Sequence, residues 1–338
     1  MDLSQMKIFL VIIGFIGGIL LIAFLAVYYL HPLLLIRFGL WYKCQKTGMK
    51  IKYVKSKDYT FCYSCRGTPG PQPSMLFLHG FTASKDMWLD VIKCLPKDLH
   101  IICVDMPGHG DTTRLEGDSY TGTAQVARIH QFVECVGLNR KPFHLVGISM
   151  GGMVAGVYAA CYPSEVGYLS LFCPSGLRSP TVSEYIKRIW NQDKLNVEDN
   201  PLIPSTVKQM IELITLGLYQ VPKILNTQFL KAYLDYQKAN NDFFRKCFVD
   251  ITSEESRFIL QDNLNKIKAP LQVIWGKDDK VLDPSGAEVL AAAFPSYQIQ
   301  MLEKCGHFVV GDRPRKSAKL LMEFYNSIFS PTESKKLA

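Results

Sequence analysis

The sequence predicts an α/β protein: a mostly parallel, eight-stranded sheet with helices on both faces and a helical cap, preceded by one N-terminal transmembrane helix. Three observations lead to this prediction. Short apolar segments bounded by turn residues alternate with segments of helical periodicity, which is typical of a parallel sheet buried on both faces. The alternation stops within residues 177–268, where helical segments and loops follow one another. A long uncharged apolar segment precedes the whole pattern.

The apolar segment at the start predicts a membrane anchor. Residues 8–30 are 23 positions without a charged side chain. A helix of that length extends about 35 Å, enough to cross a hydrocarbon core of about 30 Å. The segment is too long for the apolar part of a signal peptide, and no clear small-residue cleavage site follows it. We therefore expect a single-pass membrane protein.

The basic residues around the anchor predict its orientation. Lys7 alone precedes the span, whereas seven basic residues with no acid among them follow it: Arg37, Lys43, Lys46, Lys50, Lys52, Lys55 and Lys57. The positive-inside rule then places the following domain in the cytosol. The basic and apolar juxtamembrane segment, 31–48, leaves two interpretations open. Its charges set the topology alone, or they also hold the domain at anionic lipid head groups.

Beyond the anchor, the pattern divides into a core and an insertion. Residues 49–176 and 269–330 carry strands and helices in alternation, and 177–268 carry helices with loops. An insertion of roughly 90 residues is too long for a plain loop. We expect it to form a cap over the carboxyl ends of the strands, where open α/β sheets bind ligands.

Composition excludes several classes of function. The net charge is +8 and the basic strip after the anchor supplies +7 of it, so the remaining chain is near neutral. A nucleic-acid-binding face would need basic residues clustered on the folded domain, so no nucleic-acid partner is expected. Cys62-x-x-Cys65 lies in a predicted strand without a second ligand pair, and chance explains it better than redox or zinc chemistry. No nucleotide-binding glycine pattern is present either, so we expect no cofactor and no metal.

A candidate nucleophile lies where a predicted strand meets a predicted helix. The pattern is Gly147-x-Ser149-x-Gly151, within "LVGISMGG". At such a junction this pattern is typical of a nucleophile elbow, a sharp turn that exposes the serine oxygen. The helix that follows directs its amino terminus toward the reacting centre, which favours developing negative charge. The alternative is a serine that only caps the helix.

A serine nucleophile needs a base, and the base needs a carboxylate. His307 follows the last predicted strand, where a loop returns it to the carboxyl edge of the sheet. Three aspartates follow the preceding buried strand: Asp278, Asp279 and Asp283. The chain order of serine, aspartate and histidine is that of the α/β-hydrolase class.

The negative oxygen of a tetrahedral intermediate needs two backbone donors. Met150, which follows the candidate nucleophile, supplies one N–H, and Phe81 in the loop after "LFLHG" supplies the other. His79 and His109 lie in loops at the same edge, where we expect them to shape the loops rather than act as bases.

These motifs carry a specific resemblance. The segments "FLHGF", "CVDMPGHG", "KPFHLVG", "SMGG", "PLIPST" and "CGH" resemble the capped serine hydrolases of the α/β-hydrolase family, and in particular its membrane-anchored monoacylglycerol lipases. The likeness covers nearly the whole chain, anchor and cap included. It implies an α/β-hydrolase fold with Ser149 as nucleophile, His307 as base and Asp279, the third residue after the glycine in "WGKDD", as acid. Asp278 is a rival because the two aspartates are adjacent.

The resemblance also implies a substrate class and a location. It implies hydrolysis of monoacylglycerols, including 2-arachidonoylglycerol, and of lysophospholipids and bis(monoacylglycero)phosphate. The site would face the cytosol on late endosomal or lysosomal, endoplasmic-reticulum or plasma membranes. Two alternatives remain open: an acyltransferase, which the spacing of His307 and Asp312 suits, and a non-catalytic membrane scaffold.

Overall fold

The computed structural model describes residues 2–329 except 192, 193, 196, 224, 295 and 296. The strands are β1 (Lys50–Ser56), β2 (Tyr59–Arg66), β3 (Met75–Leu78), β4 (Ile101–Val104), β5 (Phe143–Ile148), β6 (Val166–Phe172), β7 (Trp190–Asn191), β8 (Lys194–Leu195), β9 (Leu271–Gly276) and β10 (Tyr297–Leu302). Eight of them form one sheet in the order β1-β2-β4-β3-β5-β6-β9-β10, and β7 pairs with β8 separately.

The main sheet is parallel from β4 to β10, and only the β1–β2 and β2–β4 pairs are antiparallel. Its central strands β3, β4, β5 and β9 are buried at every position, as expected for strands covered on both faces. The edge strand β1 is mostly exposed and carries lysines, which discourage pairing with another chain. The eight-stranded, mostly parallel sheet predicted from the sequence is therefore confirmed.

Helices cover both faces of this sheet, as predicted. The α-helices of the described residues, which include the N-terminal helix and those of the inserted segment, are α1 (Leu3–Leu30), α2 (Pro32–Thr47), α3 (Leu89–Ile92), α4 (Gly122–Val136), α5 (Met150–Cys161), α6 (Glu184–Ile189), α7 (Val207–Gly217), α8 (Thr227–Lys238), α9 (Asn241–Thr252), α10 (Gly286–Ala293), α11 (Val309–Asp312) and α12 (Pro314–Phe329). Short 3₁₀ helices span Lys85–Trp88, Leu138–Arg140 and Gln261–Lys266. Within the core, α4 packs on α5, and α3 packs on α12.

Helix α1 is long and apolar enough to cross a membrane. An 18-residue stretch of it has a mean hydropathy of 3.1, and no part of that stretch is buried in the protein. It begins five residues earlier than predicted, because Asp2 caps it by accepting a hydrogen bond from the Ser4 amide. After His31 the chain continues directly into α2, with Pro32 at its first turn. The sequence did not predict α2 as a helix. Helix α2 ends at Thr47, and the next residue, Gly48, has a φ of +71° in the left-handed region.

Residues 177–268 contain α6, the β7–β8 hairpin, α7, α8, α9 and the 3₁₀ helix Gln261–Lys266. Helix α7 packs on α8, and α8 packs on α2. The inserted segment therefore contacts the juxtamembrane helix as well as the core.

A buried polar chain crosses the centre of the sheet. His144 Nε2 lies 2.8 Å from Ser170 Oγ, and Ser170 donates its proton to Gln272 Oε1 at 3.0 Å. Because the Ser170 hydroxyl proton is donated to Gln272, it cannot also be donated to His144. His144 must therefore donate from Nε2, and its Nδ1 has no hydrogen-bond partner among the described residues. Burial lowers the pKa of His144 to about 3.

This histidine predicts a pH dependence of stability. A histidine in an unfolded chain has a pKa of about 6.5. Below that pH His144 therefore binds a proton in the unfolded chain but not in the native protein. The free energy of unfolding should therefore decline as the pH falls below about 6.5, by about 1.4 kcal/mol per pH unit for this proton. In a His144→Phe variant, denaturant unfolding in detergent across this range should give a slope shallower by about one proton. Ser170→Ala removes the hydrogen bond but keeps the imidazole, so it should retain the steep slope; equal slopes in all three proteins would contradict the prediction.

Candidate active site

Ser149 occupies the turn between β5 and α5. Its φ of +56° and ψ of −119° place it in a region that residues other than glycine rarely adopt. The turn is possible because its flanking glycines lack Cβ atoms. A Cβ at Gly147 would lie 2.2 Å from the Gly151 carbonyl oxygen, and one at Gly151 would lie 2.4 Å from that of His79. Strained backbone of this kind persists where the surrounding structure fixes it, often at functional sites.

Three side chains predicted to act together lie in hydrogen-bond contact. His307 Nε2 is 3.0 Å from Ser149 Oγ, and His307 Nδ1 is 2.7 Å from Asp279 Oδ2. A carboxylate only accepts, so Nδ1 carries the proton and Nε2 is left free to accept from the serine hydroxyl. His307 and Asp279 are 4% and 6% exposed, so bulk water hardly competes for these bonds.

The geometry distinguishes the two adjacent aspartates. Asp279 accepts four hydrogen bonds: from His307 and the Trp275 indole at Oδ2, and from the Val281 and Leu282 amides at Oδ1. Such a set of donors satisfies a buried carboxylate and fixes its orientation. Asp278 instead accepts from the Cys305 amide at 3.3 Å. Asp283, the third candidate, accepts from Thr181 and the Ser285 amide, away from His307.

Phe81 and Met150 lie close to Ser149 in the structure. Met150 is the first residue of α5, so its N–H is one of the amino-terminal donors that a helix leaves free. Phe81 follows Gly80, where a Cβ would lie 3.4 Å from Ser149 Cβ. Both residues line the same cavity as Ser149.

His79 and His109 hold the surrounding loops. His79 Nε2 accepts from the Met106 amide at 2.8 Å, so its proton is on Nδ1, which donates to the Gly80 carbonyl at 2.8 Å. The loops after β3 and β4 are thereby joined. Burial lowers the pKa of His79 to about 4 and that of His109 to about 3, so both rings are neutral near pH 7. His109 packs edge to face against Phe243 of α9.

The serine opens into a cavity of about 790 Å³. Most of its lining is apolar: Phe81, Leu177, Val182, Tyr185, Ile186, Trp190, Leu202, Phe248, Ile251, Phe258, Val281 and Leu282. Lining residues from 177–258 outnumber those from the core. Met210 and Phe229, two other apolar residues of the segment 177–268, are not among the residues that line the cavity.

Within the described part of the chain, two groups of side chains have the composition of a metal site, and both make other contacts. Cys173, Asp279 and His307 lie together. There both ring nitrogens of His307 are already hydrogen-bonded, and burial raises the pKa of the Cys173 thiol. Cys62 lies near Asp105, which pairs with the buried Lys85 ammonium at 3.1 Å, and burial raises the pKa of the Cys62 thiol to about 12.

Asp312, whose spacing from His307 suits an acyltransferase, bonds backbone amides on both sides of a loop contact. It accepts hydrogen bonds from the amides of Gly306 and Tyr219 at 2.8 and 2.9 Å. It therefore fixes the loop before His307 and attaches that loop to the segment after α7.

Residues 73–314 match the profile of the alpha/beta hydrolase fold family. Together with the sheet, the elbow and the order of Ser149, Asp279 and His307, this shows that the chain belongs to the α/β-hydrolase family.

Individual proteins of known function or structure are also similar to this chain. The chain is 52% identical to the monoacylglycerol lipase ABHD6 of Bos taurus and 51% identical to that of Homo sapiens, in both cases over 100% of each chain. Among solved structures it is similar to a membrane phospholipase A described as a bacterial virulence factor. That structure has a TM-score of 0.79 and 29% identity, with coverage of 93% of this chain and 98% of the other.

Proposed function

We propose that the protein is a membrane-anchored serine hydrolase that cleaves monoacylglycerols to a fatty acid and glycerol. The observation that carries the proposal is the hydrogen-bonded series Ser149, His307 and Asp279 opening into an apolar cavity. The names of the relatives, monoacylglycerol lipases over the full length of the chain, support the substrate class.

The chemistry follows from the proton positions. Ser149 Oγ attacks the ester carbonyl carbon while His307 Nε2 takes its proton, and Asp279 stabilises the imidazolium that forms. Collapse of the tetrahedral intermediate breaks the bond to the glycerol oxygen, and His307 protonates that oxygen as glycerol leaves. A water then attacks the acyl-serine, again giving its proton to His307. This second collapse releases the fatty acid and restores the Ser149 hydroxyl.

The negative oxygen of each intermediate is assigned to the amides of Phe81 and Met150. Two fixed donors in a water-poor site stabilise the transition state more than they would in water. The amino terminus of α5 adds a favourable electrostatic contribution.

The remaining substrate assignments rest on chemistry and resemblance. A monoacylglycerol has one acyl chain and a small polar head, which suits an apolar cavity with the reactive oxygen at its wall. We extend the proposal to 2-arachidonoylglycerol, lysophospholipids and bis(monoacylglycero)phosphate, which carry the same acyl ester.

We further propose that 177–268 serve as a cap on a core formed by 49–176 and 269–330. Val182, Ile186 and Leu202 from this segment line the cavity above Ser149. A lining of this kind excludes water from the reacting centre and holds the acyl chain.

Helix α1 is proposed to be the single span, with the catalytic domain in the cytosol, on late endosomal or lysosomal, endoplasmic-reticulum or plasma membranes. The basic strip after the span supports the orientation. Helix α2 exposes Phe38 and Trp41 beside Arg37, Lys43 and Lys46, a composition that suits the level of the lipid head groups.

The first prediction from the proposed function concerns the catalytic residues. Ser149→Ala should abolish monoacylglycerol hydrolysis and labelling by a fluorophosphonate. Asp279→Asn should lower kcat by up to about 10⁴-fold, because His307 would no longer be held in the tautomer that carries its proton on Nδ1. Asp278→Asn is the matched control and should keep kcat within about 3-fold, since that residue bonds only the Cys305 loop. Equal activities of Asp279→Asn and wild type would remove the acid assignment, and failure of the folded wild type to react with the fluorophosphonate would favour the scaffold alternative.

A second prediction separates hydrolysis from acyl transfer. With acyl-labelled monoacylglycerol, the label should appear as free fatty acid whether or not a lysophospholipid acceptor is present. Appearance of most of the label in a diacyl phospholipid when the acceptor is added would instead identify a transacylase. The Ser149→Ala variant gives the background for both reactions.

A third prediction concerns orientation. Protease added to sealed vesicles should digest the catalytic domain, because the positive residues hold it on the cytosolic face. A lumenal marker protein in the same vesicles should stay intact. Protection of the domain until detergent is added would overturn the cytosolic assignment.

A further inference from the structure

The loop that carries Phe81 is held in a strained conformation. The Ala83 amide donates to the Gly80 carbonyl at 3.2 Å and closes a four-residue turn. Thr82, the third residue of that turn, has a φ of +57°. Turns with a positive φ at this position ordinarily place glycine or asparagine there, and a β-branched residue resists it. Something outside the turn must therefore hold this conformation.

The outside contact is Gln237, which lies 155 positions away in the sequence. Its Nε2 donates to the Thr82 carbonyl oxygen at 3.1 Å. Gln237 lies in the last turn of α8 and is 8% exposed, so water competes little for the bond. A buried amide donor on a strained carbonyl is well suited to fix the orientation of that peptide.

The same corner of the inserted segment holds the Phe81 side chain. The Phe81 ring packs edge to face on Phe244 at 5.8 Å and lies 5.5 Å from the Phe248 ring. Both phenylalanines belong to α9, which begins at Asn241, only four residues after Gln237. The ring contacts restrain the side chain of Phe81, whereas Gln237 restrains the backbone that follows it.

We propose that Gln237 is a positioning residue for the oxyanion donor: its hydrogen bond to Thr82 keeps the Phe81 amide directed at the reacting oxygen. The inference rests on the proposed function, in which that amide stabilises the tetrahedral intermediate. Such donors work because their direction is fixed before the reaction. Displacement of about 1 Å at a reacting centre costs up to about 100-fold in rate. Gln237 itself touches neither the serine nor the cavity.

A structural role in the inserted segment would give a different result, and Asn241 provides the comparison. Asn241 is also buried, and its Nδ2 donates to the Pro204 carbonyl and to Ser205 Oγ. Both acceptors belong to the inserted segment, so its loss weakens that segment without touching the oxyanion loop.

The test uses the full chain in detergent with a short-chain p-nitrophenyl ester as probe. Gln237→Met keeps the side-chain volume and removes the donor, and should lower kcat by about 10-fold with KM within about 2-fold. Gln237→Glu replaces the donor by an acceptor facing a carbonyl, and should lower kcat further. Asn241→Leu should lower the thermal unfolding midpoint at least as much as Gln237→Met but leave kcat within about 2-fold.

The effect of Gln237→Met on kcat in a protein that also carries Thr82→Gly tests the positioning role directly. Glycine adopts a positive φ without strain, so the turn depends less on Gln237. The effect of Gln237→Met on kcat should shrink to about 3-fold or less in that background. The inference is overturned if Gln237→Met and Gln237→Glu retain wild-type kcat, if Asn241→Leu loses as much kcat, or if the loss is unchanged with Thr82→Gly. Should Gln237→Met fail to fold, the same comparisons with Gln237→Glu decide the question.

The two hypotheses fail in different ways. If fluorophosphonate labels wild type but not Ser149→Ala, the proposed function stands, and an unchanged kcat in the Gln237 variants refutes only the positioning role. If wild type is not labelled, the proposed function itself fails.

Discussion

The site depends on the close approach of three backbones at the glycines around Ser149. The start of α5 approaches the end of β3 so closely that a methyl group added at Gly151 would collide with the carbonyl oxygens of Leu78 and His79. This contact brings the ends of β3 and β5 together with the start of α5. The serine hydroxyl, the amide of Met150 and the loop after β3 therefore meet at one point of the sheet. The surrounding contacts accompany the positive φ of Ser149, a strained conformation that persists where neighbouring structure fixes it.

The histidine reaches this point through a second crowded loop. A Cβ at Gly276 would lie 2.3 Å from the Cys305 carbonyl oxygen, so the end of β9 packs backbone against backbone on the loop after β10. Asp278 and Asp312 then fix the amides of Cys305 and Gly306, directly before His307. Of the three carboxylates near His307, only Asp279 contacts the imidazole, whereas Asp278 and Asp312 accept hydrogen bonds from backbone amides.

Much of this arrangement could be predicted from sequence because it depends on local patterns. The buried strands, the elbow around Ser149 and the helix Met150–Cys161 each follow from periodicity and glycine placement within a short window. Spacing alone could not separate Asp279 from Asp278, because that choice depends on which carboxylate the Trp275 indole and two backbone amides can reach. Helix α2 was missed because it is apolar and basic without a clear face. The bond from Gln237 to Thr82 has no sequence signal, since it joins residues that only tertiary packing brings together.

Helix α8 contacts the N-terminal helix α1 at one end and the loop after β3 at the other. At its start, Asn226 donates to the Tyr28 hydroxyl, Gln228 donates to the Tyr29 carbonyl, and Phe229 packs on the Tyr28 ring. These partners are the last residues of the helix that is long enough to span a bilayer. At its other end, Gln237 reaches the loop beside Ser149. A helix of twelve residues extends about 18 Å, so α8 spans the distance from the end of α1 to the loop after β3. The polar contacts at its two ends therefore attach both the N-terminal helix and the loop beside Ser149 to the same element of the inserted segment.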